Sequence, residues 1–182
     1  METATVELRP ENYRSYLLIL ARNCLHASGL RHGISASDIV QEALLQAHVA
    51  LSQFQGGTEA ELKGWLRAIL ANKLADAARR QGRQKRNADL ERDLDASAAG
   101  FDKWAAKNTT PSQYVLRRER ELRLAEALAD LPEDQAAAVS LRYLSECSVS
   151  EIAAMMDRTQ PAVAGLLRRG LQNLRERLKD LE

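Results

Sequence analysis

Ser148-Val-Ser-Glu-Ile-Ala-Ala-Met-Met-Asp-Arg-Thr-Gln-Pro-Ala-Val-Ala-Gly-Leu-Leu-Arg-Arg169 is the stretch that decides the fold. Ser148 followed by Glu151 is a capping box, in which hydroxyl and carboxylate reciprocally satisfy the orphan amides of a helix start. Ile152, Met155 and Met156 then give that helix an apolar stripe. The helix is predicted to stop near Asp157, since Asp tolerates left-handed backbone. Thr159 is a second N-cap, and Pro161 falls in the first turn of the next helix, where its missing N–H costs nothing. Small Ala153 lets the two helices approach, and Val163, ten residues on, faces back into the joint. Two helices so joined form a helix-turn-helix, whose second helix enters the DNA major groove. Many such motifs carry Gly where this chain has Asp157.

Outside this motif, composition sets the limits. The chain has 182 residues with nine Gly, four Pro and 4% aromatics, and is rich in Ala, Leu, Arg and Glu. That suits an all-α protein of two small helical domains, each with a modest core. No apolar run approaches a membrane span, and Met1-Glu-Thr-Ala-Thr-Val lacks the basic-then-apolar pattern of a signal peptide, so a cytoplasmic protein without membrane partners is expected. Cys24 and Cys147 read as unpaired, partly buried thiols. His26 and His32 lie near Cys24 without a second ligand pair, so neither metal nor cofactor is assigned.

The net charge of +1 hides an uneven distribution. Residues 1–60 hold four basic and six acidic residues, 61–86 eight and two, 87–134 seven and eleven, and 135–182 seven and six. Phosphate binding depends on the local field and on released counterions, so the segment 61–86 matters more than the total.

From about Asn12 to Ala27, Tyr16, Leu17, Leu20, Ala21, Cys24 and Leu25 recur at helical spacing, with Gly29 as a stop. Ser35 or Ser37 can cap a second helix over 38–51, whose buried stripe is Ile39, Ala43, Leu44, Ala47 and Leu51. Asp38, Gln41, Glu42 and Gln46 lie off that stripe, as an ordinary solvated face or a docking face. Phe54-Gln-Gly-Gly57 breaks the chain before a helix over 61–80, in which Leu62, Trp65, Leu66, Ile69, Leu70 and Leu74 pack inward. Lys63, Arg67, Lys73, Arg79 and Arg80 line its other faces, and Arg83, Lys85 and Arg86 continue the charge. Trp65 reads as a core anchor rather than a base-stacking platform. Periodicity fades over 87–110, which is expected to be a flexible acidic linker with two isolated aromatics, Phe101 and Trp104. Helices are predicted from about Ser112 to Leu131, from Glu133 to Leu144, and from Thr159 to about Lys179.

In their order these pieces resemble a bacterial RNA polymerase sigma factor of the extracytoplasmic-function type, with region two at 1–86, a linker at 87–110 and region four at 111–182. Asp38-Ile-Val-Gln-Glu-Ala resembles the family's core-polymerase-binding helix, which implies Asp38, Ile39, Val40, Gln41 and Glu42 as that site. The run from Gly64 to Arg80 resembles the family's pattern for recognising and opening the minus-ten element, implying Lys63, Asn72, Lys73, Asp76, Arg79 and Arg80. Leu70-Ala71 stands where Ala-Arg is usual, and Lys73 offers a charge nearby. Leu131-Pro132, Arg142-Tyr143 and the helix-turn-helix resemble the module that reads the minus-thirty-five element, implying Thr159, Gln160, Ala164, Arg168 and Arg169. The resemblance implies core RNA polymerase and promoter DNA as partners, leaves room for an anti-sigma factor or another regulator, and implies no catalysis. The competing expectation is a helix-turn-helix regulator that acts without core polymerase. An enzyme built on His48 with Glu42 or Asp38 lacks a third orienting group, and a chromatin-type binder would need no acidic partner face.

Overall fold

The computed structural model describes residues 9–30, 33–81, 87–106 and 114–179. Among these are eight α-helices and no strand. A 3-10 turn, Pro10–Tyr13, leads into α1 (Arg14–Ala27), whose end is marked by Gly29 at φ +64°, a conformation that costs glycine little. Ser35 caps α2 (Ala36–Ala50) by accepting the Asp38 N–H. Helix α3 (Glu59–Arg80) starts two residues before the sequence expectation. Thr58 and Glu61 form a second capping box there, a T-x-x-E signal open to view in the sequence.

Helices α1, α2 and α3 bury Leu17, Leu20, Val40, Leu62, Leu66 and Leu70 in one core. Trp65 packs on its edge, half-buried, with its ring stacked on Phe54 at a centroid distance of 5.0 Å. Neither cysteine is in a disulfide; Cys24 is buried and Cys147 half-buried.

Of the segment 87–110, expected to be flexible and irregular, residues 87–106 are instead helical, and 107–110 lie outside the described residues. Residues Asn87–Ala106 form a helix, α4, with Leu90, Leu94 and Ala98 buried against α1 and α3. Three apolar residues at four-residue spacing, interleaved with Asp, Ala, Ser and Gly, make a stripe too thin to show as strong periodicity. Its small residues instead allow close approach: a Cβ on Gly100 would run into the Leu144 backbone. Phe101 and Trp104 lie on this helix, with side chains outside the described set. Arg83, Lys85 and Arg86 also lie outside the described residues, as do His32, Pro111 and Ser112.

Helix α5 (Tyr114–Ala129) packs on α1 and α8. Helices α6 (Glu133–Tyr143), α7 (Val149–Met156) and α8 (Gln160–Leu178) complete the chain around a smaller core of Ala137, Leu141, Ile152, Met156 and Val163. Gly170 lets α8 lie on α6; a Cβ there would stand 2.7 Å from Val139 Cγ2.

Candidate nucleic-acid interface

The joint between α7 and α8 follows from its sequence. Ser148 Oγ accepts the Glu151 N–H at 3.2 Å, and Glu151 Oε2 accepts the Ser148 N–H at 2.7 Å. Helix α7 ends with Asp157 in left-handed geometry, φ 53° and ψ 52°. The Arg158 N–H reaches the Ala153 carbonyl at 2.9 Å and the Asp157 N–H the Ala154 carbonyl at 3.4 Å, a Schellman closure built without glycine. Thr159 then caps α8 through the Ala162 N–H, and Val163 is buried between the helices. Thr159 thus fixes the start of α8. Gln160, Ala164, Arg168 and Arg169 are all exposed along that helix. Arg158 donates to Asp134 at 3.0 Å, tying the turn to α6.

Hydrogen bonds from Ser148 hold the Glu151 carboxyl below its ordinary pKa. A depressed carboxylate stabilises the fold above its ordinary pKa, and that contribution disappears as pH falls through the lowered value. The helical signal of α7 is therefore expected to weaken on acidification below the usual carboxylate range. Ser148→Ala is expected to remove about 1 kcal/mol at neutral pH, read by denaturant titration.

On α3 the cations fall into two classes. Arg79 pairs with Asp76, and Arg80 lies 3.6 Å from Glu42 on α2; these side chains are largely exposed. Exposed pairs contribute about 0–1 kcal/mol, so both guanidinium groups can exchange a carboxylate for a phosphate at little cost. Asn72 is exposed and Lys73 half-exposed on the same helix, with Asp76 between them and the arginines. Lys63 differs: its ammonium is nearly buried, 2.6 Å from Glu121 on α5 and 3.2 Å from Glu59. Burial pushes the Glu121 carboxyl above its ordinary pKa, and Lys63 opposes that shift.

Helix α2 presents Asp38, Gln41 and Glu42 at its surface but not Ile39 or Val40, which are 4% and 0% exposed. Those two are core residues that seat the helix, because their Cβ directions lie on the stripe shared with Ala43 and Ala47. In their place the outer face carries Leu45 and Val49, 66% and 74% exposed, which continue the line of Asp38 and Glu42 at helical spacing. Their signal in the sequence is two apolar residues four apart and off the buried stripe. His48, on the flank of this face, pairs with Glu11 at 3.2 Å rather than with Glu42 or Asp38.

Two family models match this arrangement, one described as Sigma-70 region 2 over residues 10–84 and the other as Sigma-70, region 4 over residues 121–174. The chain belongs to the sigma-70 family. It is 30% identical over 151 residues to the ECF RNA polymerase sigma factor SigE of Mycolicibacterium smegmatis, covering 83% of this chain and 54% of that one. It is 32% identical over 122 residues to the ECF RNA polymerase sigma-E factor of Escherichia coli K12, covering 66% and 61%. The chain thus spans between half and two thirds of those two relatives. A Haemophilus influenzae sigma-E factor is 28% identical over 79% of this chain and 75% of its own. Among solved structures, a complex of the sigma factor RpoE with the anti-sigma factor NepR from Bartonella quintana aligns over 90% of this chain and 93% of that one. Its identity is 23% and its TM-score 0.35, which decides nothing about how the two regions are arranged. In family terms α2 and α3 belong to region 2, and α6, α7 and α8 to region 4. Among the described residues of this sigma factor, no helix is long and apolar enough to cross a membrane.

Proposed function

We propose that this sigma factor binds bacterial core RNA polymerase and directs promoter-specific transcription initiation, contributing no bond-making chemistry of its own and acting in the cytoplasm. Region 2 docks on the polymerase through the outer face of α2: Asp38, Gln41 and Glu42 supply polar contacts, and Leu45 and Val49 the apolar centre. The adjoining face of α3 holds the minus-ten element. There Arg79 and Arg80 take phosphates, and Asn72, Lys73 and Asp76 line the strand's path, while Lys63 is engaged by Glu59 and Glu121. Opening a duplex costs a few kcal/mol per unstacked base, offset by stacking and by a cationic surface for the released strand. Region 4 reads the minus-thirty-five element with α8 in the major groove, Gln160 and Ala164 toward base edges and Arg168 and Arg169 on phosphates.

One observation carries this reading: an exposed acidic and apolar face and an exposed cationic face lie on neighbouring helices, linked by the Arg80–Glu42 pair. A regulator acting on duplex DNA alone has no use for the first. The test is co-migration of the full chain with bacterial core polymerase in gel filtration. Asp38→Arg with Gln41→Ala is expected to weaken that association about tenfold with the fold intact. Duplex binding with no core association would favour the regulator.

A further inference from the structure

A helix that lies in the major groove meets base edges with the residues at its N-terminal end. In α8 these run Gln160-Pro161-Ala162-Val163-Ala164-Gly165-Leu166-Leu167, and Gln160 alone among them carries a hydrogen-bonding side chain. Val163 is buried at the joint with α7, and Leu166 and Leu167 pack against the same small core. Exposed on this part of the helix are Gln160, Pro161, Ala162 and Ala164. The polar residues just before them are engaged in holding the turn: Thr159 Oγ1 accepts the Ala162 N–H at 3.4 Å, and Arg158 donates to Asp134 at 3.0 Å. Cations resume only further along, at exposed Arg168 and Arg169. A Cβ on Gly165 would stand 3.4 Å from Arg169 Nη1, so that guanidinium lies back along the helix.

A carboxamide offers an accepting oxygen beside an N–H donor. In the major groove adenine presents the complement, the N7 acceptor beside the N6 donor, and meets a carboxamide with two parallel hydrogen bonds. Guanine presents two acceptors, O6 and N7, which suit the donors of arginine or lysine; cytosine presents one donor, and thymine one acceptor and a methyl group. The first two turns of α8 hold no cation. Ala164 follows Gln160 by four residues, about 6 Å along the helix, so it reaches a base pair one or two steps away at about 3.4 Å per step. Its bare methyl suits the methyl of thymine and offers guanine or cytosine no hydrogen bond.

We infer that Gln160 is a specificity-determining residue of this sigma factor: its carboxamide reads an adenine of the minus-thirty-five element, and Ala164 packs on the methyl of a thymine one or two pairs away. The first two turns of α8 read no guanine. The inference rests on the promoter-binding reading and narrows it from duplex DNA to an A·T pair met by a named side chain. A bidentate contact of this kind discriminates against the wrong base about tenfold or more.

The test uses the full chain with bacterial core polymerase. Promoter duplexes that this holoenzyme binds are recovered from a randomised pool. The upstream element of one of them is then randomised again with the rest held fixed, and the bound fraction is sequenced for wild type, Gln160→Ala and Gln160→Arg. Gln160 is exposed at the first position of α8, so both variants leave the core untouched. Wild type is expected to select adenine in one column. Gln160→Ala flattens that column and Gln160→Arg, with its paired donors, converts it to guanine, while the other columns stay as they were. Replacing the selected adenine by 7-deazaadenine removes only the N7 acceptor; it is expected to weaken wild-type binding about tenfold and that of Gln160→Ala not at all. Replacing the neighbouring thymine by uracil removes only the methyl group, with an expected loss of about threefold for wild type and none for Ala164→Gly. Columns identical in wild type and both Gln160 variants, or guanine selected by wild type in the column that Gln160 controls, would overturn the inference and leave the sigma reading standing. If the chain joins no core polymerase the sigma reading falls, and the same selection with the chain alone on duplex DNA decides the base reading by the same column.

Discussion

Replacing Leu45 and Val49 together by arginine is expected to lower the affinity for core RNA polymerase about 1000-fold, with helix content and melting temperature unchanged. The fold does not need these side chains, which stand two-thirds and three-quarters in water on the outside of α2. Docking would bury both, and full burial of a Leu or Val contributes about 1.5–3 kcal/mol. Arginine there forfeits that gain and takes a charge into the centre of an interface, where unpaired charges are costly. A net loss of about 4 kcal/mol is roughly three powers of ten. The flanking Asp38 and Gln41 would lie at the wetter rim of that interface, where single contacts contribute less, which is why their removal is expected to matter less. Titration of labelled core polymerase with each variant checks both the size and the order of the effects.

Arg79→Ala with Arg80→Ala is expected to reduce open-complex formation at least 100-fold while leaving core binding within about twofold. In the free chain these arginines hold only exposed pairs, with Asp76 and Glu42, so their loss costs the fold little. On DNA each would make a charge-assisted bond to phosphate, and such bonds contribute about 1.5–3 kcal/mol each. Two of them exceed the cost of unstacking a single base, so without them the separated strand re-anneals faster than it is held. Permanganate reactivity of unpaired thymines on a melted promoter, followed with polymerase bound to each variant, reads the effect directly. Normal reactivity would remove the basic face of α3 from the opening step.

Much of this was legible because local rules sufficed. The capping box at Ser148, the left-handed Asp157 and the Thr159 cap are each set by residues within four positions of one another, and the helix-turn-helix follows from them. What escaped was set by distant partners. Helix α4 carries too few large apolar residues to announce itself; Leu90, Leu94 and Ala98 become informative only against α1 and α3. Ile39 and Val40 entered the expected polymerase site with the whole run that resembles the family's helix; Ile39 also stands on the buried stripe read from the sequence, and Val40 joins it inside. Leu45 and Val49 carried the opposite message, since apolar side chains off the buried stripe mark a face that awaits a partner. Glu121 reads as one more acid on a charged helix, and only the fold brings it, buried, against Lys63, 58 residues away in the chain.

Transcription by core polymerase on a randomised library of promoter-length duplexes, with and without the full chain, tests the central claim most directly. With the chain present, transcripts are expected to start at defined positions, each preceded by the same two sequence elements at a fixed separation, and core alone should yield no such set. Identical start-site distributions with and without the chain, at concentrations that saturate the polymerase, would contradict it.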